Sequence, residues 1–164
     1  MTLHLERLIP IHDAAKLLGL SETRLRELVQ AGTIKGAILP GGDIGVSENA
    51  AEINALNEKL QAITQEQFIH LRGNKITITD AEQKYGIPNR TIRKWIGHNY
   101  IQVIDRGYPV KIDEGNLAYC AAIYSERQKA GVVAGAPLLN EQRKPYLLKH
   151  PGLSEYRRRK RTKA

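Results

Sequence analysis

Cysteine is almost missing from this chain: among 164 residues only Cys120 carries a thiol. A single thiol closes no internal disulfide and cannot build a cysteine-rich zinc site, so neither a disulfide scaffold nor a structural metal is expected. Aromatic residues make up only 5%, with one Trp and one Phe, which points to small aliphatic cores. No segment approaches the roughly 18 consecutive apolar residues of a membrane span. Met1 to Glu6 lacks the charged start and apolar run of a secretory signal, so the expectation is a cytoplasmic protein without membrane contact.

Converging reactive groups are also scarce. His4, His12, His70, His98 and His150 are scattered, with no zinc-ligand spacing and no glycine-rich phosphate loop beside them. Glu82, Asp105 and Asp113 are dispersed along the chain, and caps and turns already explain two of them. Cys120 shares an apolar helix face with Leu117, Ala121 and Tyr124, as an inert buried thiol does. The chain is therefore not expected to be an enzyme, and no metal or cofactor is expected.

What the chain does have is positive charge in one place. Lys and Arg total 25 against 17 Asp and Glu, but residues 1–141 are balanced and residues 142–164 hold 9 basic groups against 1 acidic. Arg157, Arg158, Arg159, Lys160, Arg161 and Lys163 form a run that repels itself and stays extended until it meets a polyanion. Ala130 to Pro137 is small and flexible in composition, as a linker is, and Tyr146, Leu147, Leu148, Leu153 and Tyr156 suggest a short docking segment after it.

The chain also repeats itself at a shift of 67 residues. Seven positions are identical over residues 9–34 and 76–101: Ile9/Ile76, Ile11/Ile78, Asp13/Asp80, Ala14/Ala81, Gly19/Gly86, Arg26/Arg93 and Ile34/Ile101. Leu20/Ile87, Leu25/Ile92, Leu28/Trp95 and Val29/Ile96 keep the apolar pattern between them, which places Trp95 in a core. Each copy reads as a short strand, two helices with a tight turn, a hairpin and a third helix. In the second copy Thr79 and Glu82 have capping-box spacing for a helix over 80–85, Gly86 ends it, and the next helix runs from about Arg90 to Gly97. The first copy has helices over 13–18 and 22–30. Hairpins follow around Pro40-Gly41-Gly42-Asp43 and Asp105-Arg106-Gly107-Tyr108, then N-caps at Ser47 and Asp113. Ile53, Leu56, Leu60 and Ile63 form a stripe on the first of the third helices, suited to packing on its own copy or to a self-association seam.

The string from Ile78 through Gly86-Ile87-Pro88-Asn89-Arg90-Thr91-Ile92-Arg93-Lys94-Trp95-Ile96, followed by Tyr100-Ile101 and a hairpin, resembles the winged helix-turn-helix of excisionases and of the mercury-resistance (MerR) regulator superfamily. The first copy resembles the same module, and together the copies cover about residues 8–125. The resemblance implies a mainly α fold with small β-hairpin wings, built as tandem winged helix-turn-helix modules. Its boundaries are 1–63 for the first module with its long third helix, 64–74 for a linker or short helix, 75–128 for the second module and 129–164 for the linker and basic tail. It also implies that the helix opening near Asn89 enters the major groove of double-stranded DNA. Asn89, Arg90, Thr91, Arg93 and Lys94 occupy the matching recognition positions, with Arg106, Tyr108 and Lys111 on the wing. In the first copy the corresponding candidates are Thr23, Arg24 and Arg26, and the tail adds Arg157 to Arg161.

The residues suit that chemistry in their own right. Arg donates two bonds to guanine O6 and N7, Asn pairs likewise with adenine, and Lys94, Arg106 and Lys111 suit phosphates. The expected function is a sequence-selective duplex DNA binder, a transcriptional regulator or an architectural recombination factor, associated with the nucleoid. Because the copies are direct repeats, a non-palindromic footprint of about two helical turns is expected. The alternative is a protein-assembly adaptor, such as the DNA-recruiting subunit of a phage packaging or recombination machine, with a protein partner or self-association through residues 47–63. The first copy favours it for that half, since its wing, Ile38 to Gly45, carries no Lys or Arg.

Overall fold

The computed structural model describes residues 7–132 and 137–148. Within them the chain is mainly helical with two small antiparallel sheets. It divides into two compact units inside one long helix: the first runs to Glu58, and the second takes Lys59 to Ala130 together with residues 137–147.

In the first unit, β1 (Leu8–Pro10) leads into α1 (Ile11–Leu18) and α2 (Glu22–Gln30); β2 (Gly36–Ile38) and β3 (Ile44–Ser47) form a hairpin, and α3 (Glu48–Gln61) follows. The second unit opens with a 3-10 helix over Gln65–Leu71 and then runs β4 (Lys75–Thr77), α4 (Ile78–Tyr85), α5 (Asn89–Gly97), β5 (Val103–Asp105), β6 (Lys111–Asp113) and α6 (Glu114–Lys129). Both sheets have the same order, β1-β3-β2 and β4-β6-β5, with the last strand of each unit in the middle.

The 67-residue repeat is thus a repeat of geometry. Gly19 and Gly86 end α1 and α4 in the left-handed conformation at φ +65° and +66°, which a residue with a Cβ adopts only under strain. Gly32 and Asn99 do the same after α2 and α5, and there Thr33 N donates to Leu28 O at 2.9 Å and Tyr100 N to Trp95 O at 3.0 Å. Asn replaces Gly at the second site because its short polar side chain tolerates this backbone region. Equivalent positions fill equivalent core sites: Leu25 and Ile92 are wholly buried, as are Ala14 and Ala81. Truncating either Leu25 or Ile92 to Ala is worth about 2 to 5 kcal/mol in a close-packed core.

Local capping explains where the helices begin, and it corrects one expectation. The cap of α4 is Thr77, whose hydroxyl accepts from Asp80 N at 3.1 Å, so the helix begins at Ile78 rather than after Thr79. Strand end and helix cap coincide in Thr77, which leaves no loop for the box at Thr79 and Glu82; Glu82 instead points its carboxylate at the start of α5. Ser21, Ser47 and Asp113 cap α2, α3 and α6 through bonds from Arg24 N, Ala50 N and Asn116 N. The segment 64–74 contains the 3-10 helix, where Thr64 N donates to Gln67 Oε1 at 3.4 Å.

Ile53, Leu56 and Leu60 are buried within the chain and Ile63 is half-buried, so most of this stripe packs within its own chain. Residues 137–147 do not continue as a linker: Leu138 and Leu139 are buried, and Leu139 pairs with Pro145 across a tight loop. The strap they form is fixed by Arg127 of α6, 5% exposed, which donates to Pro137 O at 2.8 Å and to Tyr146 O at 2.7 Å. Trp95 is buried and meets the Tyr124 ring edge-on at 5.5 Å. Among the described residues no helix is long and apolar enough to cross a membrane.

Candidate nucleic-acid interface

The helix α5 has no carboxylate in it, and its apolar side chains Ile92 and Trp95 are turned into the core. That fixes Arg90, Arg93 and Lys94 as exposed, while Asn89 and Thr91 at the start of the helix are half-buried. Pro88 supplies the cap position with no side-chain hydrogen bond of its own. The first helical amide is instead satisfied from α4, where Glu82 Oε1 accepts from Asn89 N at 3.2 Å. One turn along, Arg93 Nε donates to Asn89 Oδ1 at 2.7 Å, joining two of the expected base-reading residues to each other.

The β5–β6 hairpin carries the other candidates of this unit. Asp105 Oδ1 accepts from Gly107 N at 2.8 Å and folds the turn tightly behind Arg106. Arg106 and Tyr108 are exposed, Tyr108 completely, and the Tyr108-Pro109 peptide is cis. Lys111 lies half-buried in β6, opposite Asp105 across the ladder.

In the first unit the matching helix is electrically different. Thr23, Arg24 and Arg26 are exposed on α2, but Arg24 is held by Glu27 at 2.8 Å, and Glu22 is held by His12 Nδ1 at 2.7 Å. Two carboxylates thus share a helix with two guanidinium groups, where α5 has three cations and no acid. The first unit exposes apolar side chains, with Ile38 80% and Leu17 47% exposed. Arg157, Arg158, Arg159, Lys160 and Arg161 lie outside the described residues.

The second unit is braced by a charged cluster between α4 and α6. Glu114 at the start of α6 takes hydrogen bonds from Lys84 Nζ and from the Tyr85 hydroxyl, the latter at 2.9 Å, and so ties α4 to α6. The Lys84 bond, with help from Tyr85, holds the Glu114 carboxyl below its ordinary range against the opposing effect of burial. Burial and the same carboxylate push the Tyr85 hydroxyl well above its ordinary value. Cys120 is wholly buried, and burial pushes its thiol up to about 12. Among the described residues no group of three or more His, Cys, Asp and Glu side chains is placed to hold a metal ion.

Sequence reasoning missed three of these features. The Asn89–Arg93 bond was open to detection from the spacing of four. Glu82 was absorbed by the box that Thr77 displaces, and Arg127 gave no local signal because its partners lie in the strap. Comparisons with protein-family models, with curated proteins and with solved structures return no match for this chain.

Proposed function

We propose that this protein binds double-stranded DNA with sequence selectivity, through tandem winged helix-turn-helix modules whose second copy does most of the reading. The observation that carries this is the outward face of α5. It presents Arg90, Arg93 and Lys94 with no acid on the helix, ordered from its first residue by Glu82 and followed by a hairpin bearing Arg106, Tyr108 and Lys111. Arg is the side chain that forks onto guanine in the major groove, and Lys supplies phosphate contacts that set affinity and register. A basic run at 157–161 adds sequence-independent attraction to a polyanion.

The test is selection of bound fragments from a random duplex pool, followed by binding of the selected duplex to wild-type protein and Arg93→Ala. Enrichment of a shared sequence, with affinity lost on substitution, is the expected result. Equal binding of selected and random duplexes by both proteins would reject sequence reading. For the first unit a second reading as a protein-contact module is favoured by the internally paired charges of α2 and the exposed Leu17 and Ile38. Under it, a footprint of about one helical turn is expected, in place of two.

A further inference from the structure

The exposed face of α5 contains a built pair, and the pair reassigns what its two members read. Asn89 and Arg93 are four residues apart, so Arg93 leans back over the preceding turn and its Nε donates to Asn89 Oδ1 at 2.7 Å. Asn89 is itself anchored, because its backbone N–H is tied to the Glu82 carboxylate of α4 at 3.2 Å. The guanidinium is therefore aimed by a series of hydrogen bonds running from α4 through Asn89. With Nε engaged, the Nη1 and Nη2 ends of the fork remain to meet a ligand, two parallel N–H donors with no acceptor between them.

Only one base edge in the major groove answers that fork. Guanine shows two acceptors there, O6 and N7. Adenine sets an N6 donor beside N7, cytosine offers an N4 donor, and thymine offers a single O4 beside a methyl group. Asn89 would read adenine only if its Oδ1 and Nδ2 both faced the base, and here Oδ1 faces Arg93. We infer that Asn89 is a positioning residue that holds Arg93 end-on toward a guanine, so the second unit's site contains an obligatory guanine and no adenine read by Asn89. This rests on the DNA-binding reading of α5 and adds the base and the division of labour.

Asn89→Asp separates the two roles. A carboxylate still accepts from Arg93 Nε, but it has no N–H to give adenine N7. The full-length wild type, Asn89→Asp, Asn89→Ala and Arg93→Ala are each put through selection from a random duplex pool. Binding is then measured on the selected duplex and on one with the guanine replaced by 7-deazaguanine, which lacks the N7 acceptor. Wild type is expected to return one guanine position and to lose ~5- to ~150-fold in affinity on the 7-deaza duplex. Arg93→Ala is expected to lose the guanine preference and to be insensitive to 7-deaza substitution. Asn89→Asp keeps the preference at somewhat lower overall affinity, and Asn89→Ala weakens it. The Arg93 Nε–H resonance of the DNA-free protein should be exchange-protected in wild type and Asn89→Asp and unprotected in Asn89→Ala. That readout still decides the geometry if an alanine variant folds poorly.

Loss of guanine preference in Asn89→Asp as complete as in Asn89→Ala overturns the inference, as does a guanine retained by Arg93→Ala. A wild type that binds duplex without base preference overturns this assignment and leaves DNA binding standing. A wild type that binds no duplex removes both.

Discussion

Replacing Arg127 by Met removes the guanidinium that closes the strap while keeping most of the aliphatic volume. The two bonds it breaks run from a charged donor to Pro137 O at 2.8 Å and to Tyr146 O at 2.7 Å. Hydrogen bonds involving a charged group contribute ~1.5 to 3 kcal/mol each, and the two carbonyls left behind keep their desolvation cost. Against this, the variant no longer removes a cation from water, an opposing gain of several kcal/mol for a group only 5% exposed. The net expectation is a loss of about 2 to 4 kcal/mol, confined to residues 137–147, since α6 keeps its other packing through Leu117, Cys120 and Ile123. Native-state hydrogen exchange read by mass spectrometry is the assay. Amides of 137–147 should exchange about 30- to 1,000-fold faster, with the core of α6 unchanged. Unchanged strap exchange would refute the clamp, and equal acceleration throughout the second unit would refute its local character.

Glu114→Gln should cost about 1 to 3 kcal/mol at neutral pH by weakening the tie between α4 and α6. Because the folded Glu114 carboxyl titrates below its unfolded value, its contribution is full above the unfolded pKa and is lost as pH falls through the folded one. Urea midpoints measured against pH should therefore fall less steeply on the acid side in the variant, and parallel curves would contradict this. Cys120, with its thiol pushed up to about 12, should resist a disulfide reagent at pH 8 in the folded protein and react at an ordinary rate in denaturant. Fast native reaction would mean that the α6 core opens. Removing Arg157 to Ala164 should weaken binding to all duplexes alike and flatten the log-log salt dependence by ~0.9 for each phosphate that the tail had neutralised. An unaltered slope would show that the tail leaves DNA untouched.

The repeat was legible because the residues that punctuate it are under backbone constraint. Gly19 and Gly86 sit where a left-handed residue is required, and Ile11/Ile78, Leu25/Ile92 and Ile34/Ile101 fill the same holes in each unit. Element boundaries were less legible where one residue serves two elements, as Thr77 does at the junction of β4 and α4. The strap was legible only at its C-terminal end, for a different reason. Tyr146, Leu147 and Leu148 read as a docking segment, but Ala130 to Pro137 before them reads as linker, and what orders 137–147 is a cation that looks in sequence like any surface arginine. At the candidate interface the sequence supplied the identity of the exposed side chains but not their mutual engagement. Arg24 and Arg93 both read as free cations; Arg24 is paired with a carboxylate, and Arg93 is aimed by an amide.

Placing the last strand of each unit at the centre of its sheet has a consequence for misassembly. While the chain is being made, β1 and β4 are orphan edges that each need a strand from far downstream, and two similar circuits in one polypeptide invite exchange between them. Synthesis order protects one pairing, because β3 has been made, and β1 can claim it, before β4 exists. The strand ends protect the other. Pro10 brings no N–H to the ladder and lies opposite Gly45, where an added Cβ would come within 3.0 to 3.2 Å of Leu39 and Leu8. Lys75 lies opposite Asp113, and carrying β4 over to β3 would set it opposite Ser47, with no carboxylate at that register position. The divergence between Leu8-Ile9-Pro10 and Lys75-Ile76-Thr77 thus gives each strand end a partner in its own sheet that the other sheet does not offer.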